Sequence, residues 1–207
     1  MGLVIVPSMV ENMARVFAAF GCKVPLLLVG PPGSGKTAML SAFGRMLGSR
    51  VRRINVTAST TVDTLIGRFL PQHTAAGLTF AWQRGPLLQA WVDGDHILLD
   101  EVNLASPEVL EALAKFVDPN QQTVYVAGER ATLSRGRSTR VFATMNPASV
   151  GGNRSQLPRS LRALFLEVQL DGYSDEEEKQ VVRQMLEPLR EGGPLQADDV
   201  EALISAH

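Results

Sequence analysis

The chain has 207 residues, 45% hydrophobic and 20% charged, with a formal net charge of -1. That balance suits one good-sized globular domain, or one domain with a small appendage, and excludes an intrinsically disordered chain. It gives no sign of nucleic acid or an anionic membrane as an obligatory partner, and no apolar run approaches the ~20 residues of a membrane helix. The one cysteine, Cys22, excludes an internal disulfide and fits a reducing, intracellular compartment. The opening MGLVIVPSMV lacks the basic flank and cleavage pattern of a signal peptide.

Taken in order, Val24–Val29 is a continuous apolar run, as expected for a strand buried on both faces. Lys36–Leu47 carries helical spacing in Met39, Leu40, Phe43 and Leu47 and stops at Gly48. Val51–Val56 reads as a second strand, followed by a Ser/Thr-rich turn. Gly77, flanked by Phe69, Leu78, Phe80 and Trp82, suggests a hairpin projecting from the core, with Trp82 and Trp91 as packing residues. Ile97–Leu99 is a third strand. Ser106-Pro107 opens a helix whose apolar positions Val109, Leu110, Leu113, Phe116 and Val117 share one face, and Asp118-Pro119-Asn120 ends it. Val141–Thr144 and Phe165–Leu170 read as the last strands. Strands alternating with helices predict a parallel α/β sheet.

After Asp171 the composition shifts. Ser174-Asp175-Glu176-Glu177 is a capping box ahead of a helix to about Leu186, and Ala197–Ile204 is a further helix beyond Gly192-Gly193-Pro194. The expected organisation is a core over 1–170 and the beginning of a helical lid over 171–207, cut short as in a fragment or a truncated form.

Three short segments carry chemistry. Gly30-Pro31-Pro32-Gly33-Ser34-Gly35-Lys36-Thr37 fits G-x-x-x-x-G-K-[ST], with a strand before it and a helix after it. Glycines let the backbone wrap a phosphate, and the following helix, with Ala38 in its first turn, presents its positive end to the same anion. Lys36 would reach the β- and γ-phosphates of ATP, and Thr37 would ligate Mg²⁺. In "HILLDE", Asp100 and Glu101 stand at the end of a buried strand, where an open sheet binds its ligand. Asp100 would hold the Mg²⁺ shell and Glu101 would polarise a water for attack. In "VFATMNP", Asn146 could orient the same water through its amide.

With these residues in place the chain resembles the AAA+ ATPases, within the branch holding dynein, midasin and the MoxR-type ATPases. "LLLVGPPGSGKT", "INVTASTTVDTLIG", "GPLLQAWVDGDHILLDEVNLASPEVLEAL" and "VFATMNP" look like midasin modules, and "GGNRSQLPRSLRALF" is similar to midasin and to the first dynein module. The resemblance implies a P-loop NTPase fold, a three-layer αβα sandwich on a five-stranded parallel sheet, with a helical lid and modules arranged in a ring. It implies that Asn146 is the first sensor, that Val6-Pro7 lie near the adenine, and that "RFLPQHTAAGLTFAWQRGPLL" is the insertion in the second helix. The implied activity is Mg²⁺-dependent ATP hydrolysis that remodels a protein or ribonucleoprotein assembly, as in ribosome-subunit maturation. The alternatives are a nucleotide-binding ring module with little hydrolysis and a MoxR-like chaperone for metal insertion. The implied partners are other AAA+ modules of the same or a different chain and a protein client, in the nucleus if midasin-like and otherwise in the cytoplasm.

Two departures accompany the likeness. Midasin-like modules often carry Asn-Arg-Phe where this chain has Ala163-Leu164-Phe165, so that arginine is absent. Arg154, Arg159 and Arg162 are the candidates to act in a neighbour's site, with Arg154 best matching the Gly-x-Arg element. The chain also reaches His207 before a second sensing arginine can be placed. Arg130, Arg135, Arg137 and Arg140 read as a solvated loop rather than an RNA patch. His73, His96 and His207 show no metal-ligand spacing, and Cys22 reads as a small buried hydrophobe.

Overall fold

A computed structural model of the chain describes residues 5–46, 50–74, 77–147 and 156–186. Five strands form its central sheet: β1 (Leu26–Val29), β2 (Val51–Asn55), β5 (His96–Asp100), β8 (Val141–Met145) and β9 (Leu166–Gln169). They are all parallel, in the order β2-β5-β8-β1-β9. Parallel neighbours need crossovers, and helices supply them. On one face lie α1 (Pro7–Phe20) and α2 (Lys36–Met46); on the other lie α3 (Val62–Ile66), α4 (Pro86–Asp93), α5 (Pro107–Val117) and α6 (Arg159–Arg162). The result is the expected three-layer αβα sandwich.

Strand side chains alternate between the two faces, and both faces here are covered. Leu26 and Leu28 of β1 and Leu98 of β5 pack with Met9, Val16, Met39, Leu40 and Phe43 on one side. Leu27 and Val29, with Ile97 and Leu99, pack with Leu87, Leu88, Trp91, Val109, Leu113 and Phe116 on the other. Trp91 is fully buried and meets Phe116 edge-on at 5.7 Å. Each such buried side chain contributes roughly 1.5–3 kcal/mol relative to exposure. The Ser106 hydroxyl caps α5 by accepting the Val109 amide, as the sequence predicts.

Two hairpins stand outside the sheet. The predicted one is β3 (Gly67–Thr74) with β4 (Gly77–Arg84). A second, β6 (Thr123–Val126) with β7 (Ala131–Ser134), occupies a stretch that reads as loop in the sequence. The two touch. Trp82 lies where a side chain on Gly128 would stand, and Arg84 grips Glu129 through Nε and Nη2, at 2.5 and 2.7 Å. The arginines nearby are not uniformly solvated, contrary to the loop reading. Arg140 lies 3.8 Å over the Phe20 ring and donates to the Phe20 carbonyl, while Arg135 donates to the carbonyls of Asp118 and Thr139. Stacking on an aromatic face and binding orphan carbonyls are what guanidinium does well. Cys22, expected inside, is exposed, because it sits in the turn after α1 rather than in a strand.

The segment after β9 is fastened to α1. Asn12, fully buried, donates to the Asp171 carbonyl at 2.9 Å and accepts the Asp171 amide at 3.1 Å. The capping box appears at the start of α7 (Asp175–Leu186), with Ser174 and Glu177 bonded to each other's amides. Glu177 does more than cap its own helix. Its carboxylate also accepts the Ser8 amide at 2.8 Å and the Ser8 hydroxyl at 2.7 Å, filling the N-terminus of α1, which has no side-chain cap of its own. Donation by the Ser8 amide first, then the Ser174 amide, holds the Glu177 carboxyl down at about 2. A depressed carboxyl stabilises the fold above its unfolded value near 4.5 and loses that effect as pH falls toward 2. Glu177→Gln is therefore expected to lower the melting temperature at neutral pH and to flatten its decline between pH 4.5 and 2. Melting curves with the same acid slope in both proteins would reject this. The further helix Ala197–Ile204 lies outside the described residues.

Candidate nucleotide site

The strand order reverses around β1, whose neighbours β8 and β9 both come from later in the chain. Open parallel sheets bind ligands at the carboxyl ends of strands beside such a reversal. The glycine-rich loop leaves β1 there. Gly33 and Gly35 have φ of +77° and +75°, the left-handed region that favours glycine. Gly35 has a further constraint, since a side chain there would collide with the Tyr173 hydroxyl. The loop then runs straight into α2 at Lys36.

A cleft of about 510 Å³ opens over these strand ends, lined by the loop from Pro32 to Ala38 except Ser34, by Asp100 and Glu101, and by Thr144 and Asn146. Arg53 and Asn55 of β2 close one side of it. Lys36, Thr37, Asp100, Glu101 and Asn146 therefore meet in one place, from positions far apart in the chain. Gly30, Pro31 and Ser34 lie beneath the loop rather than on the cleft wall: the Ser34 hydroxyl donates to the Pro31 carbonyl at 2.9 Å. Val6 is buried in the core beside Met9, and neither it nor Pro7 lines the cleft.

Lys36 is almost fully buried and folded back on its own loop. Its ammonium donates to the carbonyls of Gly30 at 2.8 Å and Pro31 at 2.6 Å, and to the Ser34 hydroxyl at 3.3 Å. Thr37 donates to the Asp100 carboxylate, its hydroxyl 3.0 and 3.1 Å from the two oxygens. Glu101 turns the chain with φ 56° and ψ 43°, a left-handed geometry uncommon for glutamate, at the mouth of a short 3₁₀ turn (Val102–Leu104). Strain of this kind persists where surrounding bonds hold it. Here the Glu101 amide donates to the Thr144 hydroxyl at 3.1 Å, and the Asn146 amide donates to Glu101 Oε1 at 3.2 Å. The Thr144 hydroxyl donates in turn to Asp100 Oδ1. Asn103 supports Asn146 from below, donating to its carbonyl at 3.0 Å.

Thr144, Asn103 and Arg53 were not singled out by their sequence context. Thr144 and Asn146 are two apart, so alternation along a strand already puts them on one face. Arg53 and Asn55 show the same spacing, but only the pairing of Asn55 with Asp100 brings β2 beside the carboxylates. Of the candidate arginines, Arg159 and Arg162 do not line this cleft. Arg162 holds Glu167 through Nε and Nη2, each at 2.8 Å, Arg159 is exposed on α6, and Arg154 lies outside the described residues. Leu164 packs against the core.

The family description "AAA domain (dynein-related subfamily)" matches residues 25–165. The chain belongs to that family. It is thus an AAA-type ATPase domain, and nucleotide binding comes with the family. Midasin of Giardia intestinalis and midasin of Dictyostelium discoideum are each 36% identical to it over 165 residues, 80% of this chain. The chain spans only 3% of the length of either midasin. An uncharacterised protein of Staphylococcus haemolyticus is 26% identical over 169 residues, 81% of this chain and 63% of its own length. Among solved structures, a suspected ATPase of Cytophaga hutchinsonii shares the fold, with a TM-score of 0.58 at 20% identity over 86% of this chain and 57% of that chain. No helix among the described residues is long and apolar enough to cross a membrane.

Proposed function

We propose that this AAA domain binds ATP with Mg²⁺ in the cleft and hydrolyses it to power remodelling of a protein or ribonucleoprotein assembly. The observation that carries the reading is the convergence of Lys36, Thr37, Asp100, Glu101 and Asn146 at the carboxyl ends of three adjacent parallel strands. Thr37 and Asp100 offer a hydroxyl and a carboxylate, the hard oxygen donors that suit Mg²⁺. Bound there, Mg²⁺ would offset the charge of the phosphates. Lys36 would leave its loop carbonyls for the phosphate oxygens, among the backbone amides from Gly30 to Ala38. Glu101 would take the proton of the attacking water, and Asn146 would orient that water. The Asn146 Oδ1 is buried with no hydrogen-bond donor among the described residues, an acceptor that a water in the cleft would satisfy. Val6 and Pro7 would border the adenine, and residues 171–207 would form the start of a lid. The midasin likeness extends the proposal to ribosome-subunit maturation in the nucleus.

Partners would be other AAA+ modules in a ring. An arginine reaching into a neighbour's site is worth roughly 10³–10⁵ in rate in related phosphoryl transfers. Because Leu164 packs into the core and Arg162 is held by Glu167, Arg154 and Arg159 are the better donors. The test is ATP turnover per protein molecule from dilute to concentrated solution. It should rise steeply, and Arg154→Ala should abolish the rise while ATP still binds. A second reading, a nucleotide-holding ring module with little hydrolysis, is favoured by the packed Leu164. Tight ATP binding with negligible turnover at every concentration would replace the first reading with that one.

A further inference from the structure

Asp100 is fully engaged before any ligand enters. Its Oδ1 accepts the hydroxyls of Thr144 and Thr37, the latter at 3.0 Å. Its Oδ2 accepts Arg53 Nε at 2.9 Å and Arg53 Nη2 at 2.5 Å, with Thr37 at 3.1 Å. An ionised carboxylate has about four lone-pair sites, so a cation can reach this one only by displacing a donor. Thr144 cannot yield easily, because it is fully buried and its oxygen also holds the Glu101 amide. Thr37 can turn its proton away and keep its oxygen in place. Arg53 is the loosest of the three, with its side chain 56% exposed on β2, which ends the five-stranded order.

We propose that Arg53 is a built-in counter-ion that occupies Asp100 in the nucleotide-free site and competes with the divalent cation for that carboxylate. Without it, a carboxylate that is nearly buried would carry an unbalanced charge whenever the site holds no metal. The guanidinium suits this task because its planar fork grips one oxygen through two N–H groups. The free site is thus balanced twice over, with Lys36 on its loop carbonyls and Arg53 on Asp100, and metal–nucleotide must displace both cations from these positions.

This inference rests on the ATP reading above, and Mn²⁺ titration separates the two. The whole 207-residue chain is titrated with Mn²⁺ in the presence of a non-hydrolysable ATP analogue, with free Mn²⁺ read by electron paramagnetic resonance. Arg53→Gln should bind Mn²⁺ roughly threefold to tenfold tighter than wild type, with Arg53→Lys between them. A gain of affinity cannot come from misfolding. Equal or weaker Mn²⁺ binding in Arg53→Gln, where wild type binds the metal–nucleotide, overturns the counter-ion role alone. Wild type that binds no more Mn²⁺ with the analogue than Lys36→Ala does overturns the ATP reading and this inference together.

Discussion

Glu101→Gln should leave ATP bound and lower its turnover by roughly 10²–10⁴, the range that a positioned general base contributes. The glutamine has almost the shape of the glutamate but cannot accept the proton of an attacking water. Its surroundings should persist, because two of the bonds that hold residue 101 are made by its backbone. The amide is tied to the Thr144 hydroxyl, and the 3₁₀ turn that follows is closed by the Glu101 carbonyl accepting the Leu104 amide at 3.0 Å. The side chain accepts from Asn146 Nδ2 at 3.2 Å, a contact that a glutamine oxygen can keep. Calorimetric ATP affinity and steady-state turnover on the same preparation make the measurement. Turnover within a few-fold of wild type would remove Glu101 from the role of base.

Lys36→Ala should weaken ATP binding roughly 30-fold or more, since a buried charge partner of an anion is lost outright. The same substitution touches the free protein. Lys36 donates to the carbonyls of Gly30 and Pro31, so its removal takes a donor from each and should lower the melting temperature slightly. The two effects are separable. A loop merely loosened would recover affinity at low temperature, whereas a missing phosphate cation would not. ATP affinity equal to wild type in a folded Lys36→Ala protein would sink the assignment of the loop.

Much of the fold was legible because the core strands are buried on both faces and therefore read as unbroken apolar runs. Leu26–Val29 and the Ile97–Leu99 centre of β5 are such runs, and each leads into the chemistry of the cleft. The helix after the loop and the cap at Ser106 followed from spacing and hydroxyl placement alone. The hairpin β6–β7 escapes a sequence reading because its strands are four residues long, too short for the alternation that their burial shows to stand out. Its arginines then read as a charged loop, although Arg140 lies against Phe20 from 120 positions away. Cys22 was misplaced because its apolar neighbours belong to a helix end and a strand start, with an exposed turn between them.

By itself the sequence determined the parallel sheet, the phosphate loop and the residue types at three strand ends, because these depend on local periodicity and on motifs a few residues long. Only the tertiary structure decided which of these residues touch. The strand order β2-β5-β8-β1-β9 sets β5 and β8 side by side, so that Thr144 can hold both Asp100 and the Glu101 amide. The same order places β2 against β5 and brings Arg53 onto Asp100 across 47 positions. Ser8 and Glu177 meet across 169 positions for a like reason, because β9 returns the chain to the edge of the sheet beside α1. Hydrogen bonds and ion pairs reach about 3 Å, and no spacing along the chain encodes such a contact until packing has chosen the neighbours.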